Sequence, residues 1–185
     1  MKFFKTLMLI SIFLFAATIH AEDYLPKAKI YDGTSIGIGY GQDFGGIGLG
    51  VLHYGNFKYV GFFGGLGYTP AGIGFNGGIK ARLKSSNVRE KINPFVLGMY
   101  GYTSAINITN ESELNKLFYG PTLGVGIDFK FRPFSRGFWT MAFLFPIDNT
   151  KASEYIQYLK TNRQIIFQSE MSSYSFSFGY RYLLN

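Results

Sequence analysis

Few residues in this chain could carry out acid–base or metal chemistry. It contains no cysteine and two histidines, His20 and His53. A Ser-His-acid hydrolase needs histidine as its general base, and zinc sites draw on cysteine and histidine. His20 lies in an apolar N-terminal stretch, which leaves His53 as the one candidate base. We therefore predict no catalytic, cofactor-binding or metal site and no cofactor.

Five charged residues lie in segments where apolar side chains alternate with small or polar ones, and all five take the place of a small or polar residue. They are Lys80, Arg82, Asp128, Lys130 and Arg181. Because successive side chains of a strand point to opposite faces, all five fall on faces otherwise occupied by glycine and small residues. We predict that they form a structural charge network. Four cations and one acid do not balance, so some must reach water, or a turn must supply an acid, with Asp43 and Glu90 as candidates.

The elements that would position these charges are β-strands. The clearest strand runs from Tyr174 to Tyr182, where five aromatic residues alternate with Ser175, Ser177, Gly179 and Arg181. Similar alternation with glycine or polar residues occurs in four more segments, containing Ile36 to Tyr40, Ile47 to Val51, Ile73 to Leu83 and Leu123 to Phe131.

Three further strands are apolar on both faces, namely Lys58 to Tyr68, Pro94 to Thr103 and Phe138 to Ile147. In the first and third of these we favour an outward direction for Val60, Phe62, Leu66, Trp139, Met141, Phe143 and Phe145. The total is about eight strands, which predicts an all-β fold.

Two long connections, Ser104 to Phe118 and Asp148 to Ser172, follow the fifth and seventh strands. In an up-and-down antiparallel arrangement both therefore lie at the same end, and the other end carries only short turns. In the second connection Ala152, Tyr155, Ile156 and Leu159 recur at helical spacing, which predicts a short amphipathic helix.

The N-terminus has the layout of a secretory signal peptide. Lys2 and Lys5 precede an apolar run from Thr6 to Thr18, and a small residue, Ala21, stands before Glu22 and Asp23. The run is shorter than the roughly 20 residues that a membrane-spanning helix needs. We predict a signal peptide over residues 1–21 and a β-barrel domain over residues 22–185.

The composition indicates a surface that does not face water throughout. The chain is 47% hydrophobic and 19% aromatic but only 16% charged, whereas charged residues make up about a quarter of a typical soluble domain. The net charge of +7 is spread along the chain rather than clustered, so we predict no nucleic-acid partner.

These residues resemble the small eight-stranded bacterial outer-membrane proteins of the OmpA and OmpX kind over Thr34 to Leu183. The strand from Tyr174 to Tyr182 resembles their C-terminal assembly signal, although Leu183-Leu184-Asn185 replaces the usual terminal Phe. The resemblance implies an antiparallel up-and-down transmembrane β-barrel, porin-like in its wall but too narrow for a water-filled pore. It also implies an exported, monomeric outer-membrane protein whose partners are outer-membrane lipids, lipopolysaccharide and the barrel-assembly machinery.

Three alternatives remain open at this point. A soluble lipocalin-like barrel would hide its apolar face inside, where too little room exists for so many large residues. A bundle of transmembrane helices would use spacings such as Gly37 to Gly41, but glycine at every second position fits strands better. Some small outer-membrane barrels modify lipid A by esterase-like chemistry. His53 falls on the same strand face as Ile47, Leu49 and Val51, which predicts that it points outward near the periplasmic rim, away from the outer leaflet. We therefore favour a non-enzymatic envelope or surface-interaction role.

Overall fold

The strands close into a single antiparallel barrel. The computed structural model describes residues 33–55, 59–84, 91–108, 111–132, 135–163 and 173–184. Each strand pairs with its neighbours in sequence, and the first strand closes the ring by pairing with the last. The predicted all-β, up-and-down architecture of eight strands is confirmed. The predicted signal peptide over residues 1–21 lies outside the described residues.

The strand bounds agree with the predicted segments to within a few residues, except at the loop end of the fifth and sixth. The strands are β1 (Thr34–Gly41), β2 (Gly46–Tyr54), β3 (Val60–Thr69), β4 (Gly72–Arg82), β5 (Ile92–Ile106), β6 (Lys116–Phe129), β7 (Gly137–Pro146) and β8 (Ser175–Leu183). A helix, α1 (Thr150–Arg163), precedes β8, and 3-10 turns cover Gln42–Phe44 and Ser112–Leu114.

The two faces of the wall differ as the alternation predicts. On the outside, Leu66 is 61% exposed and Ile73 is 66% exposed. For the strands that are apolar on both faces, the favoured outward direction is confirmed at Phe62, Leu66, Phe143 and Phe145, all of which are exposed. The five charged residues of the predicted network are all buried.

The lumen is more apolar than the sequence pattern suggested. Besides charges and glycines it holds one cluster of buried hydrophobic side chains, which comprises Leu52, Tyr54, Phe63, Phe95, Leu97, Met99, Phe138, Ala142, Leu144 and Leu183. Most of these come from strands with two apolar faces or from strand ends. The second apolar face of such strands therefore fills the barrel, as expected for an interior of this width.

The connection predicted from Ser104 to Phe118 is partly strand, which corrects the predicted loop bounds. Ser104 pairs with Phe118 and Ile106 with Lys116, after a bulge between Tyr102 and Ser104. The register of β4 with β5 runs from Arg82 opposite Phe95 to Asn76 opposite Gly101. The end of the β5–β6 hairpin therefore extends past its neighbours. The bulge interrupts the alternation of this segment, which makes the strand hard to recognise in the sequence.

The predicted helix in the second long connection is present as α1, and it packs on this hairpin. Ala152 and Leu159 are buried against Ile106 and Phe118. The Tyr155 hydroxyl donates a hydrogen bond to the Leu114 carbonyl at 3.0 Å. The described parts of the two long connections thus pack together as one unit. We call it the loop cap: the hairpin end (residues 102–108 and 111–119) together with α1.

Candidate functional site

Lys80 and Asp128 form the central contact of the lumen. They lie on β4 and β6, and the Lys80 Nζ is 2.7 Å from the Asp128 Oδ1. The Lys80 ammonium also donates to the Thr140 hydroxyl at 3.4 Å and lies 3.6 Å from the centroid of the Phe95 ring. An ion pair removed from water depends on such additional partners, because desolvation offsets much of its Coulomb energy.

Arg181 pairs with a different acid, contributed by the turn between β1 and β2. The Arg181 Nη2 lies 3.9 Å from the Asp43 Oδ2, and the Ser177 hydroxyl donates to the other carboxylate oxygen of Asp43. The Arg181 guanidinium also faces the Phe44 ring at 4.7 Å. Asp43, one of the two acids named as candidates from the sequence, therefore contributes to the lumen. The other candidate, Glu90, lies outside the described residues.

The remaining two cations lie toward the end of the barrel that carries the short turns. Arg82 stacks on the Tyr54 ring, with 3.4 Å between the guanidinium carbon and the ring centroid. Arg82 and Lys130 line a small cavity of about 10 Å³ together with Asn93 and Asp128, enough for about one water molecule. The five predicted residues thus lie in one lumen, where Lys80 and Arg181 pair with two different acids.

The turn Gln42–Phe44, which we call the inner turn, enters the lumen instead of projecting from the barrel. All three of its residues are buried, and the Gln42 amide donates to the Thr103 carbonyl across the barrel. The sequence predicts that a turn could supply Asp43 to the lumen, and the structure shows that the whole turn is buried there.

Glycines on the inner face make room for the inner turn. A Cβ at Gly65 would overlap the Asp43 carbonyl oxygen, and one at Gly48 or Gly67 would overlap the Phe44 carbonyl oxygen. Gly45 closes the turn with φ at 72°, in the left-handed region that favours glycine. The recurring glycines at inward positions of β2 and β3 are the one sequence signal that could have revealed this turn.

His53 lies on the outer wall, as its parity predicts, at the end of the barrel with the short turns. Its side chain is exposed, and its Nδ1 lies 2.9 Å from the Thr34 hydroxyl of the adjacent strand. Within the described ranges, no group of three or more His, Cys, Asp or Glu residues is arranged to hold a metal. None of the described helices is long and apolar enough to cross a membrane.

A second cavity, of about 130 Å³, lies where the loop cap meets the barrel. Thr103, Tyr119, Asn149 and Lys151 are among its lining residues.

At the start of α1, hydrogen bonds from the Thr150 hydroxyl and backbone amide lower the pKa of the Asp148 carboxyl. The ionised carboxylate therefore contributes to the start of the helix at neutral pH, and this contribution decreases as the pH falls through the lowered pKa.

Comparisons with known proteins add little to this geometry. No family model matches the chain, and no curated protein matches it in sequence. Among solved structures, the chain is similar to one described under de novo design of transmembrane β-barrels, at 14% sequence identity and a TM-score of 0.38. That match covers 85% of this chain and 97% of the designed one.

Proposed function

We propose that this chain is a monomeric, non-enzymatic β-barrel of a bacterial outer membrane, of the OmpA and OmpX kind. The observation that carries the proposal is the apolar outer face of the wall. Every one of the eight strands exposes large apolar side chains to the outside, for example Ile38, Leu49, Leu66, Phe75, Tyr100, Leu123, Phe143 and Tyr180. A contiguous apolar surface of this extent marks contact with something other than water.

The filled lumen supports lipid as that contact. A soluble barrel keeps its apolar side chains inside and its polar ones outside. The interior of this barrel is already filled by an apolar cluster and two ion pairs, and its outer face is apolar as well. The outward side chains are therefore not needed to form a core. In a bilayer the same side chains meet hydrocarbon, and closure of the ring pairs the backbone groups of every strand.

The orientation that we propose follows the usual asymmetry of such barrels, with long loops outside the cell and short turns in the periplasm. The loop cap then faces the cell exterior, where it is available to lipopolysaccharide, a host surface or another protein. Export by residues 1–21 and assembly through β8 belong to the same proposal.

The absence of enzymatic activity is also part of the proposal. In this orientation His53 lies on the periplasmic side of the wall, far from the lipid A of the outer leaflet. Its ring nitrogen Nδ1 contacts the Thr34 hydroxyl, whereas a hydrolase needs an acid to orient the imidazole. A barrel that presents a folded cap fits these positions better than a lipid A-modifying enzyme does.

Envelope fractionation combined with gel electrophoresis tests the proposal. We expect the protein in the outer-membrane fraction, with a band that migrates differently before and after boiling because the folded barrel resists detergent. A band that does not shift, recovered from the soluble periplasmic fraction, would contradict the proposal and favour a soluble barrel.

A further inference from the structure

The two ends of the barrel differ in charge. At the loop end, the exposed charged residues that the structure describes include acids and bases in equal number: Glu111, Glu113, Asp148 and Glu154 with Lys116, Lys151, Lys160 and Arg163. At the short-turn end, the exposed charged residues within the described ranges are all cations. These are Lys84, Lys91, Arg132 and Arg136, which we call the basic rim.

An apolar groove runs up the outer wall from the basic rim. It has a volume of about 430 Å³. Its lining residues are Ile92, Ile127, Phe129, Phe131 and Met141, together with Lys91 and Lys130. Phe131 is 75% exposed and meets the Phe129 ring edge to face, with 5.6 Å between the ring centroids. The groove therefore offers a hydrocarbon-lined slot that opens beside a lysine.

The backbone holds Lys91 beside the end of β6, where a second exposed cation follows in the chain. The Lys130 amide donates to the Lys91 carbonyl at 2.8 Å, which continues the pairing of Ile92 with Phe129 by one step. Arg132 follows two residues later and is exposed. Lys91 thus lines the groove, and Arg132 directly follows the groove residue Phe131 in the chain. Side chains of this length can keep their charges in the headgroup region.

We propose that this groove and the basic rim form a binding site for an anionic phospholipid, with an acyl chain in the groove and the phosphate beside Lys91 and Arg132. The inference rests on the proposed membrane location and adds a lipid class and a leaflet to it. Charge complementarity selects the occupant, since cations at a membrane surface attract anionic headgroups. In the proposed orientation the site faces the periplasmic leaflet, so the ligand is a phospholipid rather than lipopolysaccharide.

Native mass spectrometry of the folded barrel tests this site. The protein is inserted into vesicles of equal parts phosphatidylethanolamine and phosphatidylglycerol, extracted in mild detergent, and the retained lipids are counted. We expect phosphatidylglycerol to be retained at least about fivefold over phosphatidylethanolamine, since each surface cation attracts an anionic headgroup by about that factor. The double variant Lys91→Gln/Arg132→Gln should retain the two lipids about equally.

A matched control removes two cations from the other end. Lys151→Gln/Arg163→Gln changes the net charge by the same amount, and we expect it to keep the preference for phosphatidylglycerol. Equal retention of both lipids by the unmodified barrel would overturn the proposal and leave the basic rim to an acidic protein partner. Loss of the preference in the control, or its survival in Lys91→Gln/Arg132→Gln, would also overturn it.

The same samples separate this inference from the proposed function. A gel with and without boiling shows whether each variant is a folded barrel, and flotation shows whether it has entered the vesicles. A folded, inserted barrel without lipid preference overturns the phospholipid site alone. An unmodified chain that folds but does not enter vesicles overturns both proposals.

Discussion

Asp128 determines whether the lumen can hold the charge of Lys80. The Lys80 ammonium lies 2.7 Å from the Asp128 carboxylate, and both side chains are almost wholly buried. Asp128→Ala leaves the ammonium without its counter-ion, and we expect the free energy of unfolding to fall by about 3 to 5 kcal/mol. Urea titration of the barrel in lipid vesicles measures this loss.

A second variant separates the pair from its isolated charge. Lys80→Met combined with Asp128→Leu removes both charges, so we expect it to be less destabilised than Asp128→Ala alone. A loss below about 1 kcal/mol for Asp128→Ala would show that the lumen is solvated, and the buried ion pair would then have little effect on stability.

Two consecutive glycines of β3 test the fit of the inner turn. A Cβ at Gly65 would overlap the Asp43 carbonyl oxygen, whereas a Cβ at Gly64 would meet nothing closer than the Asn76 carbonyl oxygen at 3.7 Å. We expect Gly65→Ala to lower the free energy of unfolding by about 1 to 3 kcal/mol, the usual effect of overpacking. Gly64→Ala should change it by less than about 0.5 kcal/mol. Equal effects would place the inner turn outside the lumen.

The alternation of side chains along each strand predicts which of them face inward, but not which of the inward side chains contact one another. The alternation placed the five charges on one face because a strand has a fixed period of two. The contact between Arg181 and Asp43 depends instead on a turn that folds back into the barrel. No local pattern in Gln42-Asp43-Phe44 reports that direction, because it is set by space on the facing strands.

Leu159 holds α1 on the loop cap. It is fully buried against the end of the β5–β6 hairpin, where Ile106 and Phe118 are also buried. Leu159→Ala removes this contact, and we expect a local loss of about 2 to 5 kcal/mol that releases α1 without opening the barrel. Amide hydrogen exchange should show faster exchange within Thr150–Arg163 and unchanged protection in β1 and β8.

The neighbouring Gln157 supplies the control, since it is exposed on the same helix. Gln157→Ala should leave exchange in α1 close to that of the unmodified chain. If Leu159→Ala also behaves like the unmodified chain, α1 is not held by this apolar contact, and the loop cap is not a folded unit.

Helical spacing was enough to predict α1 but not the surface on which it docks. Ala152 and Leu159 share one face at that spacing, and both are buried. Their partners Ile106 and Phe118 fall where the sequence predicts a loop, because the bulge after Tyr102 interrupts the alternation. Contacts between distant loops leave no periodic trace in either segment.

For the molecule as a whole, alternation predicted the number and order of the strands, because an outward apolar face and a small inward face recur along most of the chain. For the strands that are apolar on both faces, the sequence does not determine which face points outward, since either face could contact lipid or fill the core. The apolar cluster around Phe95 and Leu144 shows that the second face packs inside. The proposed function therefore requires the outward face to meet lipid.

Trp139 reports on that requirement directly, because it is the one tryptophan of the chain and belongs to the outer wall. It stacks on Phe178 with 4.9 Å between ring centroids, two residues from the short-turn end of β7. Its fluorescence can be measured in vesicles of phospholipids brominated at different depths of the acyl chain. We expect strong quenching, greatest for bromine near the headgroup, and weak quenching by acrylamide in water. Efficient acrylamide quenching with no effect of brominated lipid would contradict the account.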